Sequence, residues 1–208
     1  MKKYGNSFHT GSQDYAGAKV PIWLHVDEFY TAGCTLNDQP EGKVIPVGTP
    51  VYVPKVGAEA AVLETFEVVG AVTAEGTSVV LKSVGGAIDP AKDIIVGKVG
   101  SNGLIAKALK LPVVTSEGSG EHAGEFTFTI TANSLGALSD GDILVIASAA
   151  GSNKAPLYPN GLLYEDVLIG NAGATGTVVT KGQVLADRIA AIPALYQPYL
   201  TNITFVNE

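Results

Sequence analysis

The chain has 208 residues, and only 16% of them are charged, against roughly 25% in an average soluble protein. A net charge of −7 and no Lys/Arg cluster beside an aromatic platform leave no positive field for phosphates, which excludes nucleic acid as a direct partner. A single cysteine, Cys34, excludes an intrachain disulfide framework and any multi-cysteine metal site, and no stretch approaches the ~18 consecutive apolar residues of a membrane span.

Residues 1–20 are polar and glycine-rich, with isolated aromatics at Tyr4, Phe8 and Tyr15. Such a segment cannot bury enough apolar area to order itself, so it reads as an N-terminal extended arm. Lys2 and Lys3 are not followed by an apolar run, so a cleaved export signal is not expected.

From Pro21 the pattern changes. Ile22 to Val26 reads as a short extended segment, followed by an acidic turn at Asp27-Glu28. Trp23, Phe29 and Tyr30 are large aromatics close together in sequence. They suit either core packing or an anchor cluster at an interface. Between Lys43 and Pro54, apolar residues alternate with Pro46, Pro50 and Pro54, so the run must be an edge strand or strand ends.

Short strands are then expected at Val62 to Val69, Ser78 to Lys82, Ile94 to Val99 and Leu104 to Leu111, with Asn102-Gly103 as a hairpin turn. Glu125 to Thr131 has a strict period of two, with Phe126, Phe128 and Ile130 on one face and threonines on the other. One face is core, and the other meets solvent or a second subunit. Ile143 to Ala147, Leu162 to Ile169 and Thr177 to Leu185 complete the strands. The shared pattern in Gly141-Asp142-Ile143-Leu144 and Gly182-Gln183-Val184-Leu185 hints at an internal repeat. Helix is confined to a turn or two around Asp187 to Ile192 and after Pro193.

These elements predict a mainly β protein, a short-stranded antiparallel sandwich or barrel-like domain with little helix. Residues 1–20 form the arm, 21–151 a central β domain and 152–208 a C-terminal β segment, packed in the same domain or at a subunit seam. Ser152 to Pro156 is the expected boundary.

The chemistry of catalysis is thin. His9, His25 and His122 show neither helical i, i+4 spacing nor a close carboxylate partner of the kind metal sites use. Cys34 lies in no nucleophile signature and reads as a small buried side chain. Gly118-Ser119-Gly120 and Gly170 to Gly173 carry no phosphate-loop lysine. Asp140, Asp142, Glu165 and Asp166 lack calcium-loop spacing and read as turn residues. No catalytic residue, cofactor or metal site is expected.

Four segments in one order carry a resemblance: Lys43 to Val53 (KVIPVGTPVYV), Leu138 to Leu144 (LSDGDIL), Pro159 to Val167 (PNGLLYEDV), and Ala186 to Ala194 (ADRIAAIPA) with Leu200 to Phe205 (LTNITF). Over residues 28–208 the chain resembles the head fiber, or capsid decoration, proteins of tailed bacteriophages, especially those infecting gut Bacteroidales. The resemblance implies a structural virion protein: a homotrimer made in the host cytoplasm and standing on the outer capsid surface, anchored to the major capsid protein. Host or mucosal glycans are further partners on this reading, and no membrane is. Capsid-binding candidates are Lys2, Lys3, Tyr4, Phe8, Tyr15 and Trp23. The arm is otherwise a solvated tail. The alternative to the virion reading is a β-sandwich carbohydrate-binding or adhesin module of a bacterial surface.

Overall fold

The computed structural model describes residues 21–30, 33–36, 39–54, 59–130, 135–170 and 174–207. The arm, with Lys2, Lys3, Tyr4, Phe8 and Tyr15, lies outside the described residues.

The protein is mainly β, with two principal sheets and two small ladders. The six-stranded sheet is built from β1 (Trp23–Phe29), β4 (Pro50–Tyr52), β5 (Ala61–Val62), β13 (Gly161–Leu163), β16 (Val178–Leu185) and β17 (Ile203–Val206), in the order β1-β16-β13-β4-β5, with β17 parallel to β16. Two ladders stand beside it: β2 (Cys34–Leu36) with β15 (Ala174–Gly176), and β3 (Val44–Ile45) with β14 (Val167–Leu168). One apolar cluster joins Cys34, Leu36 and Ile45 to Val51, Leu163 and Val178. A second gathers Leu162, Val184, Leu200 and Ile203 with Trp23 packed against it.

The seven-stranded sheet comes from the middle of the chain. It contains β6 (Thr65–Val68), β7 (Ser78–Gly85), β8 (Ile94–Val99), β9 (Ile105–Leu111), β10 (Ser116–Glu117), β11 (Glu125–Thr129) and β12 (Ile143–Ile146), in the order β10-β11-β7-β6-β12-β8-β9. The edge strands β9 and β10 are joined directly by residues 112–115. Five Cα steps reach about 18 Å at full extension, whereas the edges of seven strands laid flat stand about 29 Å apart. The sheet therefore curls toward a barrel. Its interior holds Phe66, Val68, Leu81, Phe126, Phe128 and Leu144, where burying one large side chain contributes about 1.5–3 kcal/mol.

The alternation expected at Glu125 to Thr131 holds within β11: Phe126 and Phe128 are buried, while Thr127 and Thr129 face outward. The Asn102-Gly103 hairpin is present between β8 and β9, with Gly103 at φ +72°. Prolines stand at strand ends, as their missing N–H requires: Pro50 opens β4 and Pro54 follows it.

Three expectations change. Asp27-Glu28 is not a turn, because β1 continues through both residues to Phe29 as a bulged edge strand. The two Gly-x-[Ile/Val]-Leu segments are not equivalent. Gly141 turns into β12 at φ +82°, whereas Gly182 lies within β16, where an added Cβ would stand 2.6 Å from the His25 carbonyl oxygen. The second glycine is needed for a close backbone approach and marks no repeat.

Strand pairing also does not follow the boundary at 152–156. β1 and β4 precede it and pair with β16 and β13, which follow it. One sheet is thus hydrogen-bonded from strands on both sides, in sequence, of the barrel segment 65–146. A third cluster unites the two parts, with Val145, Ile105 and Ala108 of the barrel strands packed with Leu63, Leu195 and Tyr196. At the same junction, Gln39 Nε2 donates to Glu64 Oε1 at 2.9 Å, and its Oε1 accepts from Ala87 N at 2.8 Å.

Among the described residues, helix amounts to three single 3-10 turns: Gly120–His122, Ala186–Arg188 and Gln197–Tyr199. Pro193 and Pro198 account for the shortness of the C-terminal turns. No helix among the described residues is long and apolar enough to cross a membrane.

Candidate interaction surface

β1 is unlike the other strands. It lies at the edge of the six-stranded sheet, and five of its seven residues are exposed: Leu24, His25, Asp27, Glu28 and Phe29. Three register shifts interrupt its pairing with β16. The bulges and the carboxylates oppose addition of a further strand. They also aim side chains outward on both faces, with Leu24 and Phe29 each 50% exposed. In sequence, Pro21 and Ile22 separate β1 from residues 1–20.

Trp23 is the one capsid-binding candidate within the described residues, and it does not join Phe29 and Tyr30. Its Nε1 donates to the Tyr164 carbonyl oxygen at 3.0 Å, and its ring stacks on Tyr164 with centroids 6.2 Å apart. Tyr30 instead packs against the cluster around Cys34. The three aromatics separate because they stand at the beginning, at the last position and just beyond a bulged strand. Trp23 thus pins the start of β1 to the body, and Leu24 and Phe29 are the residues left for a partner.

A second apolar spot is formed by Val44 and Leu168, directly opposite each other in the β3–β14 ladder. Both are exposed, while their neighbours Ile45 and Val167 point into the core. A third is an aromatic pair in which Tyr199 stands out in sequence but its partner Tyr158 does not. Tyr158 stacks on the half-exposed Tyr199 with centroids 4.2 Å apart. Tyr196, three residues before Tyr199, is fully buried, and burial, with Tyr158 and Glu64 nearby, pushes its phenol pKa well above the ordinary value. Nothing in the sequence joins positions 158 and 199.

His9 lies outside the described residues, and each of the other two histidines stands beside a single carboxylate. His25 Nε2 stands 2.9 Å from Asp27 Oδ1, and His122 Nδ1 stands 3.0 Å from Glu125 Oε2. The first pair is two positions apart on one strand, and the second joins a 3-10 turn to the strand after it. His122 and Glu125 line a polar recess of about 400 Å³ on the outer face of the barrel, with Ser116, Glu117, Ser119 and Thr127. Both histidines are exposed to solvent.

Three of the four acidic residues singled out in sequence accept from backbone N–H groups. Asp140 Oδ1 accepts from Gly70 N at 2.7 Å, and Asp166 Oδ1 accepts from Val47 N at 2.8 Å. Asp142 Oδ2 accepts from both Ser139 N and Lys98 Nζ at 2.9 Å. Among the described residues, no group of three or more His, Cys, Asp and Glu side chains is placed to hold a metal ion. Cys34 is buried, and desolvation raises its thiol pKa.

Comparison with models of known families, with curated proteins and with solved structures returns no match to this chain.

Proposed function

We propose that this chain is a non-catalytic structural protein that acts by multivalent association: a trimeric head fiber or decoration protein on the outside of a tailed-phage capsid. On this reading the major capsid protein is the anchor, and the far end of the molecule is available to host or mucosal glycans. The observation that carries the proposal is β1, an edge strand among the described residues that offers Leu24 and Phe29 to solvent. Apolar side chains at such a position gain free energy when a partner covers them. Identical weak contacts repeated around a closed ring, and again over a shell, add up by avidity. The resemblance of the four ordered segments to head fiber proteins is what suggests this particular reading.

The low charge fraction supports it less than composition alone suggested. Apolar clusters involve both β13 neighbours Leu162 and Leu163 in different cores, and the C-terminal segment covers part of the barrel exterior. Much of the apolar content is therefore satisfied within one chain.

Sedimentation equilibrium of the purified protein tests the trimer. A mass of three chains is expected, with dissociation in Leu24→Lys/Phe29→Lys. Deletion of residues 1–20 should weaken attachment to capsids lacking this protein while leaving the trimer intact. A chain that stays monomeric at all concentrations would refute the proposal.

A second reading, a carbohydrate-binding module of a bacterial surface, is favoured by the Tyr158–Tyr199 stack with its half-exposed ring. Glycan-array binding that disappears in Tyr199→Ala, in a chain that does not trimerise, would select it.

A further inference from the structure

The chain contains two Asn-Gly pairs, Asn102-Gly103 and Asn160-Gly161, and the fold places them in opposite chemical situations. Glycine after asparagine is the pairing in which the following backbone nitrogen reaches the side-chain amide carbon most freely, because no Cβ stands in the way. The reaction is intramolecular, so geometry decides its rate.

Asn160 is locked. Its Oδ1 accepts from Val53 N at 2.9 Å and its Nδ2 donates to Val53 O at 2.8 Å. Turning the amide toward Gly161 N would break both bonds. Gly161 itself is buried in β13, with the Val179 carbonyl oxygen and a Val178 methyl within 2.6 Å of where a Cβ would stand.

Asn102 is open. It is exposed at the tip of the β8–β9 hairpin, and Gly103 has only the Ala194 carbonyl oxygen, at 3.7 Å, near the position of a Cβ. The backbone N–H of Leu104 donates to Asn102 Oδ1 at 3.1 Å. That oxygen carries the negative charge when a nucleophile adds to the amide carbon, so the donor sits where charge develops. One restraint opposes attack: Gly103 N donates to Gly100 O at 3.0 Å, a turn bond that must open first.

We propose that Asn102 is a site of spontaneous self-modification, converting to aspartate and isoaspartate while Asn160 stays intact. In the step, Gly103 N loses its proton to solvent base and bonds to Asn102 Cγ. The Cγ–Nδ2 bond breaks and ammonia leaves, closing a five-membered imide. Water then opens the imide at either carbonyl. The net change is amide plus water giving carboxylate and ammonium, with no oxidant or reductant. It adds a negative charge to a chain already at −7. In the isoaspartyl product it also lengthens the main chain of a tight turn by one methylene, beside the half-exposed Leu104. A long-lived structural protein would accumulate this mark with age.

The test is peptide mapping by mass spectrometry of the folded full chain, aged at neutral and mildly alkaline pH, with isoaspartate detected separately. The expected result is loss of the amide at Asn102, faster at higher pH, with Asn160 retained; in denaturant both sites should react. Gly103→Ala should slow the reaction at Asn102 and leave Asn160 unchanged. Survival of Asn102 in the folded chain under conditions that deamidate it in the denatured chain would overturn the proposal. So would reaction of Asn160 at the same rate as Asn102 in the folded protein.

Discussion

Asn160 holds Val53 by both of its main-chain polar groups, with Oδ1 accepting from the Val53 N–H at 2.9 Å and Nδ2 donating to the Val53 carbonyl at 2.8 Å. The two residues are 107 positions apart. The clamp continues the β4–β13 pairing past the end of β4, where Pro54 cannot donate. Asn160→Ala leaves both Val53 groups without these partners in a part-buried place. The expected loss is about 1–3 kcal/mol, measured by urea denaturation. A loss within a few tenths of a kcal/mol would show that water replaces the clamp.

Gly182 sits where β1 bulges against β16. A methyl group there meets the His25 carbonyl oxygen at 2.6 Å, so Gly182→Ala should destabilise by about 1–3 kcal/mol and act locally. Amide exchange should accelerate in β1 and remain unchanged in β7 and β11. Uniform acceleration across both sheets would contradict a local effect.

Asp142 is the clearest source of acid sensitivity. Burial by itself raises its pKa, but the Ser139 N–H and the Lys98 ammonium together hold it below the usual carboxylate value. A group whose pKa is lower folded than unfolded stabilises the fold above the unfolded value, about 3.9, and loses that contribution as pH falls through the folded value. The pair is about one-third exposed, so solvent screens it. Asp142→Asn should cost about 1 kcal/mol at neutral pH, and the gap from the native chain should close in acid. A gap that stays constant with pH would mean the carboxylate charge is irrelevant.

Cys34 should be chemically silent while the protein is folded. The thiol is buried and its pKa is raised by desolvation, and the thiolate is the reactive species. Maleimide labelling should be complete in denaturant and nearly absent without it. Rapid labelling of the native protein would show that the ladder of Cys34–Leu36 with Ala174–Gly176 opens readily.

The barrel should fold on its own. Every residue of its interior cluster lies between Phe66 and Leu144, and its edges close through residues 112–115. A fragment covering 64–147 should show β circular dichroism and a cooperative melt, while Phe128→Ala within it should cost about 3–5 kcal/mol. A fragment without structure would mean that Leu195 and Tyr196, packed on its outer face, are required for folding.

Where periodicity and turn chemistry act over a few residues, sequence reading succeeds. The alternation of Phe126, Thr127 and Phe128, the hairpin at Asn102-Gly103 and the prolines at the ends of β4 are set by side-chain size, positive φ and a missing N–H, each a local property. The candidate surface was less legible. Trp23 was visible as a large aromatic, but its partner Tyr164 is 141 positions away, and Leu24 and Phe29 look no different in sequence from core residues. Asp27-Glu28 resembled a turn because acidic pairs favour solvent, and an edge strand is also solvent.

The amino-acid order alone thus determined that the chain is β-rich, poor in charge and without local metal or nucleophile motifs. Tertiary structure alone decided that strands from both ends of the chain pair in one sheet, that Asn160 is clamped while Asn102 is exposed at a hairpin tip, and that β1 is an edge strand among the described residues. The physical reason is range: strand propensity is settled by neighbours two residues apart, whereas exposure depends on which distant strand arrives to cover a face.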